Sequence, residues 1–134
     1  ALEFEHPVMV EAYELVQDSG GAGEFRGGMT MRRRIRALDH EATANAGGTN
    51  AILPPWGLFD GQSGTTTVVE LGEGVAPFKH RRGKLAAGQS IAMVAASGGG
   101  YGDPKKRDRD AVRRDLREGR ISQTAAREIY GLVD

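Results

Sequence analysis

The chain has 134 residues, formal net charge +0, 39% hydrophobic and 6% aromatic residues, and 20 glycines, about twice the usual glycine share of roughly 7%. Neutrality argues against a general nucleic-acid binder, and the absence of cysteine excludes disulfides, thiolate nucleophiles and zinc–thiolate sites. No apolar run reaches the roughly 18 residues a membrane-spanning helix needs, so neither nucleic acid nor membrane is expected as a partner.

The chain opens on Ala1 without a methionine, in what reads as an extended segment. Glu3, Glu5 and Glu11 interrupt any signal-peptide pattern. Removal of a residue, or origin as a piece of something longer, would explain that start. Residues 7–17 predict a strand, with Pro7 suited to an edge or first position. Strict alternation puts Val8, Val10 and Ala12 on one face and Met9, Tyr13 and Leu15 on the other, so both faces should be covered. The first glycine segment, residues 18–28, then makes a long turn.

Residues 29–38 predict a second strand, with Met29, Met31, Arg33, Ile35 and Ala37 on one face and Thr30, Arg32, Arg34 and Arg36 on the other. Arg33 would sit among apolar neighbours and need a carboxylate or carbonyl partner. The other arginines suit ion pairing at an interface. Residues 47–64 read as a loop carrying a Pro-Pro-Trp-Gly knuckle around Trp56, which is either an interface anchor or buried under its own loop. Residues 65–71 return as a strand, residues 79–84 form a basic patch, and Ser90–Ala96, small and apolar on both faces, should be central in its sheet.

The second glycine segment is Ser97-Gly98-Gly99-Gly100-Tyr101-Gly102-Asp103-Pro104. Glycine permits unusual backbone angles and close approach of another backbone or a ligand. An anion-binding nest of N–H groups and tight packing both fit. Beyond it lie two short helices. Asp108 caps the first and Gly119 ends it; Ser122 caps the second. Val112 and Leu116 share one stripe, and the charges between Lys105 and Arg120 read as a solvated face. The expected fold is mainly β with two short C-terminal helices (α+β). A glycine-rich antiparallel sheet region at 1–104 and a helical pair at 105–134 pack as one domain, completed by a partner subunit.

Catalytic signals are weak. His6, His40 and His80 hold no metal-ligand spacing, Ser19 and Ser97 lack a Gly-x-Ser-x-Gly setting, and no phosphate-loop pattern occurs. No catalytic, cofactor-binding or metal residue is therefore assigned. The residues expected at an interface or cavity are Gly20, Gly21, Arg26, Gly27, Gly28, Arg33, Trp56, Gly98, Gly99, Gly100, Tyr101 and Asp103.

The ordered set of 18–28, Pro55-Trp56-Gly57-Leu58, Gly98–Pro104 with Arg107-Asp108, and Ala126 to Tyr130-Gly131 resembles the C-terminal part of the hydantoinase B / 5-oxoprolinase family. Met29-Thr30, Phe59-Asp60-Gly61 and Ala95-Ala96-Ser97 depart from the family pattern and leave fine loop geometry open. The resemblance implies larger A-like and B-like partner subunits in a hetero-oligomer. ATP and a divalent metal are expected on those partners, with no cofactor and no independent small-molecule site on this chain. It implies a cytoplasmic, cavity-completing subunit of an ATP-dependent enzyme. A small subunit beside several large ones is similar to the arrangement in acetophenone carboxylase, which points to carboxylation of an aromatic ketone. The alternatives are a subunit or C-terminal fragment of a hydantoinase or oxoprolinase amidohydrolase, and a stand-alone anion-binding β module.

Overall fold

The computed structural model describes residues 2–71, 74–77 and 80–133, without the side chains of 74–77, 80 and 81. Lys79 of the basic patch lies outside the described residues. The chain starts with one helical turn, α1 (Leu2–Glu5), where extended backbone is expected from sequence. The Glu3 carboxylate accepts the Val10 N–H at 2.7 Å, so this turn folds back on the next strand.

Among the described residues seven strands follow: β1 (Val8–Leu15), β2 (Met31–Ala37), β3 (Ala42–Gly47), β4 (Val68–Leu71), β5 (Gly74–Pro77), β6 (His80–Leu85) and β7 (Ser90–Val94). Five of them form an antiparallel sheet in the order β1-β2-β7-β4-β5, and β3 pairs with β6 in a separate ribbon. The strand expected to be central, β7, is central. Its Ala92 is buried, and the small side chain lets ion pairs form above it. β3, β5 and β6 were not foreseen. Ala42–Gly47 has only small residues in its apolar positions, and β6 reads by composition as a charge cluster.

Strict alternation fails in β1, because the register slips between Val10 and Ala12. A bulge adds one residue to a strand and moves everything beyond it to the other face. Val8 and Val10 therefore share a face with Tyr13 and Leu15, opposite Ala37, Ile35, Arg33 and Met31 of β2. β1 is also an edge strand with Tyr13 and Leu15 exposed, not a strand covered twice. On the other face the arginines find partners inside the chain. Glu70 accepts from Arg32 at 3.2 Å and from Arg34 at 2.9 Å, and Glu11 lies 3.1 Å from Arg36. These pairs replace the interface pairing expected from the alternation.

Helices α2 (Arg109–Arg117) and α3 (Gln123–Glu128) lie where expected. The Asp108 carboxylate accepts the Ala111 N–H at 2.8 Å, Gly119 takes φ 69°, and the Ser122 hydroxyl accepts the Ala125 N–H at 3.1 Å. Their apolar stripes meet over the first glycine segment. Val112, Ile121, Ala125, Ala126, Tyr130 and Leu132 cluster there with Ala22. Helical pair and glycine segment thus share one core. Asp18 reinforces the junction: its N–H donates to Arg120 O and its carboxylate accepts the Ser122 N–H.

Tyr130 is the largest fully buried side chain among the described residues. Burial pushes its phenol above the ordinary value of about 10, against the opposing pull of Arg107 and Arg26. The unfolded chain then loses the phenolic proton first, so stability is intact below pH 10 and falls as pH rises from there toward the raised folded value. In alkaline melting curves, Tyr130→Phe should flatten part of that decline. An unchanged slope would show that Tyr130 does not carry it.

Candidate interface

Three segments with few side chains meet in one place: residues 18–28, 55–64 and 97–103. Each donates backbone N–H groups to another. Gly21 N–H donates to Gly98 O at 2.9 Å, Gly98 N–H to Gly28 O at 3.0 Å, and Gln62 N–H to Ala22 O at 2.7 Å. Gly100 N–H then donates to Gln62 O at 2.8 Å, and Leu58 N–H to Gly100 O at 2.9 Å. Phe25 and Tyr101 exchange both of their backbone bonds at 2.9 Å, and Gly102 N–H donates to Leu58 O at 2.9 Å. Four of the five N–H groups of 98–102 thus end on carbonyls within the chain. An anion nest needs N–H groups free to converge on a ligand, so tight packing is the reading that this geometry supports.

The glycines serve close approach more than unusual dihedrals. Of the run 98–102 only Gly102 has positive φ, at 76°. A Cβ built on Gly99 would overlap Trp56 O, and one on Gly27 would overlap Gly98 O. Gly28 differs, since a Cβ there meets nothing within 4 Å. The two candidate serine nucleophiles are structural. The Ser19 hydroxyl donates to Val16 O and accepts the Thr30 N–H, and the Ser97 hydroxyl donates to Ser19 O and accepts the Thr65 N–H.

An acidic residue that the sequence reading placed on a solvated face locks this junction to the helices. Asp115 of α2 is 2% exposed. Its Oδ2 takes Arg26 Nε at 3.1 Å and Arg107 Nη2 at 2.9 Å. Arg26 Nη1 also donates to Gly27 O, and Arg107 Nη1 to Glu24 O. Two cations share one carboxylate, and backbone carbonyls take up further guanidinium donors. This is the arrangement a buried charge requires. Asp103 is also internal in role, accepting the Lys105 N–H to cap a 3₁₀ turn at Pro104–Lys106.

What the junction presents outward is apolar. Phe25, Trp56, Leu58, Phe59 and Tyr101 are all exposed, Trp56 by 75% and Phe59 by 73%. Tyr101 links two of the others, with ring centroids 6.2 Å from Phe25 and 5.1 Å from Phe59. Phe59 and Asp60 both take positive φ, 49° and 71°, in a tight turn closed by Gly61 N–H to Leu58 O. A phenylalanine in that region is a strained choice, and here it turns the ring onto Tyr101. Of the residues expected at an interface, Trp56 and Tyr101 stand in this patch. Gly20, Gly21, Gly27, Gly98, Gly99 and Gly100 form the backbone junction, Arg26 is tied to Asp115, and Gly28 is exposed beside it. Arg33 lies elsewhere, exposed on β2, not buried as the alternation implied. Among the described residues no three His, Cys, Asp or Glu side chains cluster to hold a metal, and no helix is long and apolar enough to cross a membrane.

Residues 1–104 match the profile of the Hydantoinase B/oxoprolinase family. The caprolactamase subunit beta of Pseudomonas jessenii is 36% identical over 98% of this chain and 24% of that protein. The solved ATP-dependent caprolactamase from Pseudomonas jessenii superposes with TM-score 0.81 at 29% identity, covering 99% of this chain and 24% of that one. A nucleotide-free acetone carboxylase structure covers 98% of this chain and 22% of its own with TM-score 0.75; at 20% identity it shows the shared fold alone. The chain spans about a quarter of the length of these relatives.

Two substitutions test the junction. Gly99→Ala should destabilise the fold by about 1–3 kcal/mol, as overpacking does, while Gly28→Ala stays within about 0.5 kcal/mol; equal melting points for both would contradict the packing argument. Asp115→Asn leaves two partly buried guanidinium groups without a counter-charge and should cost about 3–5 kcal/mol. Denaturant titration measures it, and a loss below about 1 kcal/mol would mean the triad is not a structural lock.

Proposed function

This chain belongs to the hydantoinase B/oxoprolinase family, and on that premise we propose that it is a scaffolding module of an ATP-dependent enzyme that opens cyclic amides. In this reading it shapes and docks, while larger A-like and B-like partner subunits carry ATP, a divalent metal and the reacting groups. The supporting observation is the contrast within the junction. Most N–H groups of its 98–102 run and its buried serines are engaged internally, and its aromatic side chains are turned outward.

The cyclic-amide reading is favoured by the caprolactamase relatives, which are the more similar in sequence. Carboxylation of an aromatic ketone such as acetophenone stands as the competing outcome, with the acetone carboxylase fold behind it. An exposed tryptophan is the kind of anchor that dominates interface energetics, and Trp56, 75% exposed, fits a module that spans a quarter of its relatives' length.

The assembly that contains this chain should form ADP when given caprolactam, hydantoin or 5-oxoproline, together with the ring-opened acid. ADP formation only with acetophenone and bicarbonate would replace the amide reading by the carboxylase one. No substrate-dependent ADP formation at all would overturn both. Trp56→Ala should weaken association with the larger subunits about tenfold or more and leave the chain's own melting point nearly unchanged. Unaltered association would remove the patch from the interface.

A further inference from the structure

Arg33 stands apart from the other arginines of its strand. Arg32, Arg34 and Arg36 lie on the opposite face and are paired with Glu70 or Glu11. Arg33 lies across from Tyr13 on one side and Met93 on the other. Among the described residues it has no salt bridge or side-chain hydrogen bond, and it is exposed.

Two open depressions meet at this guanidinium. One, of about 350 Å³, runs between the sheet at Ile35, Ile91 and Met93 and the ribbon strand β3 at Ala44–Gly47. The other, of about 370 Å³, runs over Val10 and Tyr13 toward α1 at Leu2 and Glu3. Across both linings Arg33 is the lone cation among the described residues, and the Glu3 carboxylate already accepts the Val10 N–H. A lone cation between apolar walls selects a single negative charge with apolar groups on both sides. A phosphodiester backbone would call for several cations. A small carboxylic acid would leave most of the two depressions empty.

We propose that this face binds an extended peptide segment of a partner protein, with one Asp or Glu carboxylate on Arg33 and apolar side chains in the two depressions. The bidentate geometry of a guanidinium with a carboxylate would fix the segment's register. This surface is distinct from the aromatic patch, and the proposal does not rest on the cyclic-amide reading.

The four methionines make the test internal. Met93 lines the first depression, and Met9 lies on the opposite face, with its sulfur 3.4 Å from Arg36. The full chain, labelled with ¹³C-methyl methionine, is titrated with acetyl-Val-Thr-Asp-Thr-Val-amide, whose two Val and one Asp side chains share a face when extended. The Met93 signal should shift and saturate while Met9 stays still. The Asn analogue of the peptide, and Arg33→Gln protein, should each bind about tenfold more weakly or worse, and Arg33→Lys should fall between. Unmoved Met9 and Met29 signals in the free variants report an intact fold. Absence of a Met93 shift, an equal Met9 shift, or equal binding by the Asn peptide or by Arg33→Gln overturns the proposal. So does sodium acetate matching the peptide's affinity, since that would make this a small-carboxylate site.

Discussion

Backbone against backbone, with no room for a Cβ between, is the constraint on which this structure depends. Where Gly99 meets Trp56 O and Gly27 meets Gly98 O, any other residue would push the segments apart. The gain is a set of backbone hydrogen bonds among three segments that form no regular sheet. Ordering so many glycines costs more conformational entropy than ordering other residues. That cost is offset by the shared bonds and by the apolar cluster of the helices over Ala22. Glycine segments and helices are therefore one structural unit, although composition separates them at Pro104.

Charge is organised by the same economy. The chain is neutral overall, and two groups of its arginines are matched locally. Arg26 and Arg107 converge on Asp115 at the junction, and Arg32 and Arg34 converge on Glu70 above Ala92. The first group is buried and binds a helix to a glycine segment across 89 residues of sequence. The second is half-exposed, screened by solvent, and contributes less. Beside these matched charges the molecule also offers two apolar surfaces outward: an aromatic patch beside the junction and the open sheet face around Arg33.

The helical end was legible in the sequence because its signals are local. Asp108, Gly119 and Ser122 act within one turn of where they stand. β7 was legible as a central strand because small residues on both faces allow little else. The bulge in β1 was not, because a slip of register is set by the partner strand and leaves no mark in the slipping one. β3 and β6 were hidden by composition, and each depends on the other for its hydrogen bonds. At the junction the glycine clusters announced close approach, yet what approaches was not readable. Asp115 was the clearest omission. In a run of alternating Arg and Asp, nothing local separates the one buried carboxylate from its solvated neighbours, except that it precedes Leu116 and follows Val112 by three. Trp56 was seen, and its exposure became decidable only once Gly57 and Gly61 had fixed the loop beneath it.

Amide hydrogen exchange on the intact chain tests the central claim most directly. If the glycine segments are locked by mutual hydrogen bonds, the N–H groups of Gly21, Gly98, Gly100 and Tyr101 should exchange about as slowly as those of Val112 and Ala126 in the helical core, since all would open in one cooperative unit. Exchange of those glycine amides as fast as that of an unstructured loop, with the helices still protected, would contradict the account.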